Sequence, residues 1–274
     1  PKDVLVVGAG PAGLQTAITA AEHGHHVTVV ERDDDPGGQV RFAASVPNRA
    51  EFGDIVRNLV HESDRLGVTV KYGEEVTTDM VRALRPDVVV VATGAVPVRP
   101  WWAPSPDDAE AVPVVDVLDV LRGDVHPEGT VVVFDELGFH QATSVAELLA
   151  DRGCDVEIIT PGMVVGQDLG ITLDQENFWI RAHAKGIRQT TDTLINAVDG
   201  RVVQTMHHPT GTPGERRPDW VVLAVPYAPA DGLYHSLRDE LADTGIAVHR
   251  VGDAVAPRRA HTAVIDGRRV GSAL

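Results

Sequence analysis

The opening segment carries the feature that most constrains the fold. An apolar run at residues 4–7 is followed by a short turn containing Gly8, Gly10 and Gly13, and then by a helical pattern to about Glu22. A second apolar run at residues 27–30 ends in Glu31. Strand, glycine turn, helix and a strand ending in an acid, in that order, are typical of a dinucleotide-binding unit. The segment therefore predicts a nucleotide site.

Each residue of this pattern has a physical role. Gly8 allows the sharp turn, Gly10 lets the backbone approach a pyrophosphate, and Gly13 lets the helix pack closely on the sheet. The N–H groups and dipole of the helix N-terminus favour the negative phosphates. Glu31 is expected to accept hydrogen bonds from a ribose diol. It would repel a 2′-phosphate about 4 Å away by about 4 kcal/mol at an effective dielectric constant near 20. FAD or NAD therefore fits this site, and NADP does not.

Composition limits the class of protein. The 274 residues are enough for two domains, and no apolar run is long enough to span a membrane. A net charge of -16 argues against nucleic acid and anionic membranes as partners. The single cysteine, Cys154, provides neither an internal disulfide nor a four-cysteine iron–sulfur site. The histidines lack ligand partners at suitable spacing, so no metal site is predicted. We expect a cytoplasmic protein.

The pattern along the chain predicts two similar units. Helices are expected at residues 49–66 and 76–84, a buried strand at 87–94, and a proline-rich crossing with Trp101 and Trp102 at 95–113. A second strand, turn, helix and strand series starts at Gly129, with its helix from about Thr143. A helix at 174–185, a hairpin at Asp199-Gly200, a strand at 220–225, a helix at 233–241, a strand leading to Gly252-Asp253 and a helix at 260–274 follow.

The second turn lacks the glycines of the first. Asp135, Leu137 and His140 are predicted to stand where the three glycines would be, and Asp135 and Glu136 add negative charge where a pyrophosphate would lie. No acid ends the next strand. Conventional NAD(P)H binding is therefore expected to be impaired in this unit.

The predicted fold class is α/β, with two Rossmann-like dinucleotide-binding domains, the second inserted into the first. A discontinuous FAD-binding domain is expected at residues 1–98 and 227–274. An NAD(P)-binding-like domain with a degenerate glycine motif is expected at residues 99–226. The sequence begins without methionine directly before the first strand, and we interpret it as the C-terminal part of something longer or as a processed subunit.

Three groups of residues carry a family resemblance: residues 6–14 with Gly37-Gly38-Gln39, then Ala92-Thr93-Gly94, and then residues 251–259, which include Ala256-Pro257-Arg258-Arg259. Together with the altered turn at residues 135–141, they resemble the C-terminal half of the 2,4-dienoyl-CoA reductase and trimethylamine dehydrogenase branch of the old yellow enzyme family, including the mycofactocin-associated reductases. The resemblance covers essentially the whole chain.

The resemblance implies a larger enzyme with an N-terminal TIM barrel that carries FMN, a 4Fe–4S cluster and the substrate site. The residues that act on the substrate would then lie outside this sequence. In such flavoproteins an aspartate at the position of Asp253 binds the ribityl chain of FAD, and the following helix faces the flavin. The cofactor-binding residues expected here are Gly8, Gly10, Pro11, Ala12, Gly13, Glu31, Arg32, Gly38, Gln39, Val76, Ala92, Thr93, Gly94, Gly252 and Asp253.

Two hypotheses remain open from the sequence. The first is an FAD-binding oxidoreductase module that passes electrons between a nicotinamide donor or a partner and an iron–sulfur and FMN centre on a barrel polypeptide, as part of an oligomer. The second is a non-catalytic scaffold that holds ADP in the first site, as in trimethylamine dehydrogenase relatives. A stand-alone NAD(P)H-dependent quinone reductase is a weaker third interpretation.

Overall fold

The computed structural model describes residues 1–274. The strands are β1 (Asp3–Val7), β2 (His26–Val30), β3 (Thr69–Lys71), β4 (Val88–Val91), β5 (Ala95–Val96), β6 (Val114–Asp116), β7 (Thr130–Asp135), β8 (Asp155–Ile159), β9 (Arg188–Thr190), β10 (Thr193–Asp199), β11 (Val202–His207), β12 (Thr212–Arg216), β13 (Trp220–Ala224), β14 (Ala228–Pro229) and β15 (Ala247–Arg250). The helices are α1 (Pro11–Glu22), α2 (Gln39–Ala43), α3 (Gly53–Arg65), α4 (Thr78–Leu84), α5 (Val117–Arg122), α6 (His140–Asp151), α7 (Gln175–Ala184), α8 (Gly232–Glu240) and α9 (Ala260–Ala273). Short 3-10 turns occupy Ala50–Phe52, Gln167–Thr172 and Gly252–Ala254.

The chain divides into two compact units. The first unit consists of Pro1–Ala44, Arg49–Val96 and Tyr227–Leu274, and the second of Ser45–Asn48 and Pro97–Pro226. Each unit contains a five-stranded, entirely parallel sheet, in the order β15-β4-β1-β2-β3 in the first and β6-β13-β7-β8-β9 in the second. Parallel sheets flanked by helices are typical of a Rossmann-like dinucleotide-binding fold. The predicted α/β class is confirmed.

The central strands of the first unit are apolar because both faces of the sheet are covered. Val4 and Val6 pack into a cluster with residues of α1. Leu5 and Val7 point to the opposite face, in a cluster with Leu237 of α8. A strand that is buried on both faces has no polar side to alternate with, which explains the continuous apolar runs in the sequence. The short antiparallel pair β5 and β14 also belongs to this unit.

The sheet of the second unit is covered by helices on one face and by strands on the other. Val131 and Val133 pack in a cluster with residues of α5 and α6. Phe134 faces the other side, where Trp102 meets it edge-on with ring centroids 5.6 Å apart. Strands β10, β11 and β12 form an antiparallel three-stranded sheet that contributes side chains to the same cluster.

Several local predictions need correction. The predicted helix at 49–66 is a 3-10 turn followed by α3. The predicted hairpin has a third strand, β12, whose polar sequence gave no strand signal. The two tryptophans of the proline-rich segment have different environments, since Trp102 lies in the core of the second unit and Trp101 is 86% exposed. None of the helices is both long and apolar enough to cross a membrane.

Candidate functional site

The turn between β1 and α1 requires glycine at two close approaches. Gly8 has a φ of +106°, and a Cβ there would lie 2.5 Å from the carbonyl oxygen of Ala92 at the end of β4. A Cβ on Gly13 would overlap the carbonyl oxygen of Gly8. The first contact brings the turn against β4, and the second brings α1 against the turn. Larger side chains at these positions would force the strand and the helix apart.

Gly10 faces open space. A Cβ placed on this residue would meet no atom within 4 Å. Gly10 is the residue before α1, which begins at Pro11, and the N–H groups of Gly10 and Ala12 have no backbone acceptor. A helix N-terminus with unpaired N–H groups attracts anions. The turn is therefore shaped to receive an anionic group at Gly10.

Glu31 lies beside the same turn and is 8% exposed. Its Oε2 accepts a hydrogen bond from the N–H of Ala9 at 2.6 Å, and its Oε1 accepts one from the N–H of Asp33 at 3.0 Å. The end of β2 is thus fastened to the glycine turn by a charged group. Each carboxylate oxygen accepts more than one hydrogen bond, so Glu31 retains acceptor capacity for a ligand.

The Gly37-Gly38 pair also packs against the turn between β1 and α1. The N–H of Gly37 donates to the carbonyl oxygen of Ala9 at 2.9 Å. A Cβ on Gly38 would lie 3.5 Å from the Cα of Gly10. The structure therefore brings together the opening motif and the glycine pair, which are separated in the sequence. Gln39 begins α2, and its side-chain amide donates to the carbonyl oxygen of Ala95 at 3.4 Å.

Arg41 is a residue of this region that sequence reasoning missed. Its guanidinium contacts the carboxylate of Asp33 at 2.6 Å and that of Asp35 at 3.8 Å. These ion pairs hold the acidic loop that follows Glu31. The predicted ligand Arg32 is largely exposed on that loop and lies 3.7 Å from Asp33. The available signal was the run of three aspartates at residues 33–35, followed by one arginine in the next helix.

The Ala92-Thr93-Gly94 segment is fixed to the strand pair β5–β14. The hydroxyl of Thr93 donates to the carbonyl oxygen of Ala230 at 2.6 Å. The N–H of Ala230 donates in turn to the carbonyl oxygen of Gly94 at 3.0 Å. Val76, by contrast, is 6% exposed within the apolar cluster under the sheet, so its side chain does not line an open site.

Gly252-Asp253 lies at the start of α1, next to Ala12. Gly252 has a φ of +65°, and a Cβ there would lie 2.6 Å from the Cβ of Ala12. The Oδ1 of Asp253 accepts a hydrogen bond from the N–H of Arg258 at 3.0 Å. Burial raises the pKa of Asp253, Arg258 opposes that shift, and Asp266 adds to it. The Gly252-Asp253 segment, near the C-terminal end of the sequence, therefore lies beside the opening turn.

Helix α9 is held on α1 through two glycines that the sequence analysis did not single out. A Cβ on Gly267 would lie 2.5 Å from the carbonyl oxygen of Ala12, and one on Gly271 would lie 2.8 Å from that of Thr16. The spacing of four residues puts both glycines on one helix face. This close packing positions the first turn of α1, where Ala12 contacts Gly252.

The corresponding turn of the second unit is built differently. The Oδ1 of Asp135 accepts hydrogen bonds from the N–H groups of Leu137 at 3.0 Å and Gly138 at 2.8 Å. Asp135 is completely buried, and its Oδ2 makes no hydrogen bond. Burial raises the pKa of Asp135 to about 6, while the N–H groups of Gly138, Leu137 and Gly166 act in the opposite direction. The Asp135 carboxylate therefore lies inside the turn, bound to two of its N–H groups, whereas Glu136 is exposed.

The second turn is shorter than predicted but longer than the first turn. Gly8, Ala9 and Gly10 separate β1 from α1, whereas Glu136 to Phe139 separate β7 from α6. Helix α6 begins at His140, before the predicted Thr143. The position-by-position match of Asp135, Leu137 and His140 to the three glycines therefore does not hold. Gly138 is the residue of the second turn that has a positive φ, at +61°.

The chain matches a known protein family and is similar to several characterised enzymes. Residues 2–257 match the family described as pyridine nucleotide-disulphide oxidoreductase. The chain is 33% identical to the N,N-dimethylglycine/sarcosine dehydrogenase of Chromohalobacter salexigens, over 98% of this chain and 43% of that protein. It is 30% identical to the multifunctional alkene reductase/demethylase OYE of Caballeronia cordobensis, over 100% of this chain and 44% of that protein.

A solved structure is also similar to this chain over its whole length. Histamine dehydrogenase from Rhizobium sp. 4-9 superposes with a TM-score of 0.92 at 26% identity, over 100% of this chain and 44% of that chain. The chain therefore spans less than half the length of these relatives. The resemblance to the dehydrogenase and old yellow enzyme branch that the motifs indicate is confirmed.

Proposed function

Because the chain belongs to the pyridine nucleotide-disulphide oxidoreductase family, we propose that it is a flavin-dependent oxidoreductase module whose first unit holds FAD. The observation that carries this proposal is the convergence on one turn of Gly10, Glu31 and Gly252-Asp253, which are far apart in the sequence. The FAD-binding domain would comprise residues 1–98 and 227–274, with residues 99–226 inserted as a second Rossmann-like domain.

The residues of the first unit fit FAD. The open space at Gly10 and the unpaired N–H groups of Gly10 and Ala12 suit a pyrophosphate, next to Gly13 and the neighbouring Gly38. Glu31 suits the ribose diol and would repel a 2′-phosphate. Asp253 suits the ribityl hydroxyls. The remaining expected contacts come from Pro11, Arg32, Gln39, the backbone of Val76, and Ala92, Thr93, Gly94 and Gly252.

Bound FAD would supply reversible electron and hydride chemistry, and the chain's own residues would bind and orient it. Gly8 and Gly13 keep the turn compact, since a Cβ on either residue would overlap neighbouring backbone atoms. Glu31 fixes the turn through Ala9. Asp253 is held by the N–H of Arg258, which orients one carboxylate oxygen and leaves the other for a ligand.

The electron partner proposed for this module is an FMN and 4Fe–4S TIM-barrel part. Two observations support it. The chain spans 43% of the length of the dimethylglycine/sarcosine dehydrogenase, and its one cysteine, Cys154, cannot hold a four-cysteine cluster. We further propose a cytoplasmic, oligomeric protein that binds neither nucleic acid nor membranes, in keeping with its net charge of -16.

A second candidate function is a scaffold that holds ADP in the first unit. Gly10 and Glu31, the residues suited to the pyrophosphate and ribose, serve ADP as well as FAD. Asp253 is the residue that we assign to the flavin side of the proposed contacts. The two functions therefore differ in whether Asp253 contributes to binding.

The experiment compares FAD and ADP binding to the purified full chain, followed by quenching of flavin fluorescence and by calorimetry. Asp253→Ala is expected to weaken FAD binding by about 1 to 3 kcal/mol, since a charged hydrogen bond is lost, and to leave ADP binding unchanged. Asp239→Asn, which changes an exposed acid of α8, is the matched control. Equal FAD affinity in the wild type and Asp253→Ala would contradict the ribityl role, and binding of ADP without FAD would support the scaffold.

A further inference from the structure

The two nucleotide-type turns of this chain differ in what covers them. A Cβ on Gly10 of the first turn would meet no atom within 4 Å. A Cβ on Gly138 of the second turn would lie 3.6 Å from both the Cβ and the backbone nitrogen of Gln167, and 3.9 Å from the nitrogen of Asp168. The first turn is open where a phosphate would approach, and the second is covered by the chain itself.

Two N–H groups of the second turn, those of Leu137 and Gly138, are already bound by a carboxylate. The Oδ1 of Asp135 accepts hydrogen bonds from the N–H of Leu137 at 3.0 Å and from the N–H of Gly138 at 2.8 Å. In the first turn the carboxylate that binds an N–H group comes from Glu31, on the next strand, and it leaves Gly10 and Ala12 unpaired. Asp135 instead comes from the strand that leads into its own turn, so it acts in the place of an external anion.

The covering segment, Gly166–Thr172, is anchored in the core. The N–H of Asp168 donates to the carbonyl oxygen of Gly138 at 2.8 Å. Leu169 is fully buried and Val165 is 1% exposed, both in the cluster that includes α6. A Cβ on Gly166 would lie 2.7 Å from the Leu169 side chain, so the segment is packed tightly on itself. Uncovering Gly138 would require removing the fully buried Leu169 from the core, which would expose its apolar surface to water.

We infer that the second unit is a closed form of a dinucleotide-binding domain, in which Asp135 and the Gly166–Thr172 segment occupy the phosphate position, and that it takes neither NADH nor NADPH. A dinucleotide phosphate would have to displace a buried carboxylate from two N–H groups and lift an anchored segment. The residues of this unit therefore do not fit the nicotinamide dinucleotide that the family name implies.

One consequence concerns the source of electrons. It rests on the proposed function, because it requires that the first unit hold FAD. With the second unit closed, this module would exchange electrons with a partner polypeptide and not with a nicotinamide bound to its own second unit. The closure itself is independent of which nucleotide the first unit holds.

The first test titrates the wild-type chain with NADH and with NADPH, after the first site has been saturated with FAD or, in a parallel series, with ADP. Equilibrium dialysis is expected to show no saturable binding up to about 1 mM, which corresponds to a binding free energy weaker than about -4 kcal/mol. Stoichiometric binding of either dinucleotide, with slower hydrogen exchange in the peptides of residues 135–142 and 160–172, would overturn the inference. A failure to bind FAD would count against the proposed function and leave this result interpretable in the ADP series.

The second test measures hydrogen exchange at the amides of Leu137 and Gly138. Asp135→Ala is expected to accelerate exchange at both by about tenfold or more, because their acceptor is lost. Asp135→Asn keeps an acceptor oxygen and is expected to restore slow exchange. Glu136→Gln removes the neighbouring exposed acid and is the matched control. Fast exchange of these amides in the wild type would overturn the inference, and this measurement does not depend on whether Asp135→Ala folds.

Discussion

Glu31 accepts a hydrogen bond from the backbone N–H of Ala9 at 2.6 Å, so the acid at the end of β2 is part of the glycine turn as well as a candidate ribose ligand. This contact joins the two parts of the motif before any nucleotide binds. Glu31 is therefore relevant to the stability of the turn as well as to the proposed nucleotide binding.

Glu31→Gln is expected to weaken the first unit as well as its nucleotide site. A neutral amide replaces a charged acceptor in a buried hydrogen bond, so the free energy of unfolding is expected to fall by about 1 to 3 kcal/mol. Urea unfolding measures this change, with Glu74→Gln, at a partly exposed position nearby in the fold, as the control. Unchanged stability in Glu31→Gln would contradict the structural role of the contact.

Gly267→Ala and Gly271→Ala are each expected to destabilise the chain. The added methyl group would lie 2.5 Å from the carbonyl oxygen of Ala12 in the first variant and 2.8 Å from that of Thr16 in the second. Overpacking of this kind costs about 1 to 3 kcal/mol, against a gain of at most about 1 kcal/mol in helix propensity.

Thermal unfolding of the two glycine variants is compared with that of Ser272→Ala, on the exposed face of α9. The control is expected to keep or slightly raise the melting temperature. An increase in both glycine variants would show that α9 does not pack closely on α1.

Asp135 is expected to make stability depend on pH between about 4 and 7. The pKa of Asp135 is about 6 in the folded chain, against an ordinary value of 3.8, which we take for the unfolded chain. The folded form therefore binds a proton more tightly than the unfolded form. The stabilising contribution is therefore complete below about pH 4 and is lost as the pH rises through 6. Its full size is about 3 kcal/mol, from roughly 2 pKa units at 1.36 kcal/mol each.

Chemical denaturation of the wild type and Asp135→Asn across this pH range measures the effect. The difference between the two unfolding free energies is expected to change with pH, in favour of the wild type at low pH. A constant difference would show that Asp135 does not titrate in this range.

The buried ion pair between Glu157 and Arg216 is expected to matter more than the surface pairs. Arg216 Nε donates to both oxygens of Glu157, at 2.9 and 2.8 Å, and Glu157 is 5% exposed. Burial raises the pKa of Glu157, but hydrogen bonds from Arg216 and Thr190 outweigh it, so the net pKa is lowered. Arg216→Met would leave the buried carboxylate without the guanidinium, although Thr190 would still donate to it. The expected cost is about 2 to 4 kcal/mol.

The control for this prediction is Arg217→Met, which breaks an exposed pair with Glu215 at 3.7 Å. Its expected effect on the unfolding free energy is within about 0.5 kcal/mol. Equal effects of the two substitutions would indicate that the Glu157 pair is solvated like a surface pair.

The strand, turn and helix of the first candidate site were predictable because their sequence signals are local. Gly8, Gly10 and Gly13 lie within one strand, turn and helix, and the spacing to Glu31 follows from the length of that unit. Burial on both sheet faces produces the apolar runs that mark β1 and β4. The elements were therefore recognisable without knowledge of long-range contacts.

The remaining features depend on contacts that no local pattern encodes. The direction of the Asp135 side chain is set by amides that follow it and by a segment about thirty residues later that covers Gly138. The need for glycine at 267 and 271 appears only when α9 lies on α1. Strand β12 is polar because it pairs at the edge of a small antiparallel sheet.

The most direct test of the central claim is the identity of the nucleotide held by the first unit. The purified full chain, incubated with equal excess FAD and ADP and then freed of unbound ligand, would be denatured and its supernatant analysed by absorbance and mass. We expect about one FAD per wild-type chain, and a small fraction of that amount in Asp253→Ala. Recovery of ADP alone, or of no nucleotide from folded protein, would contradict it.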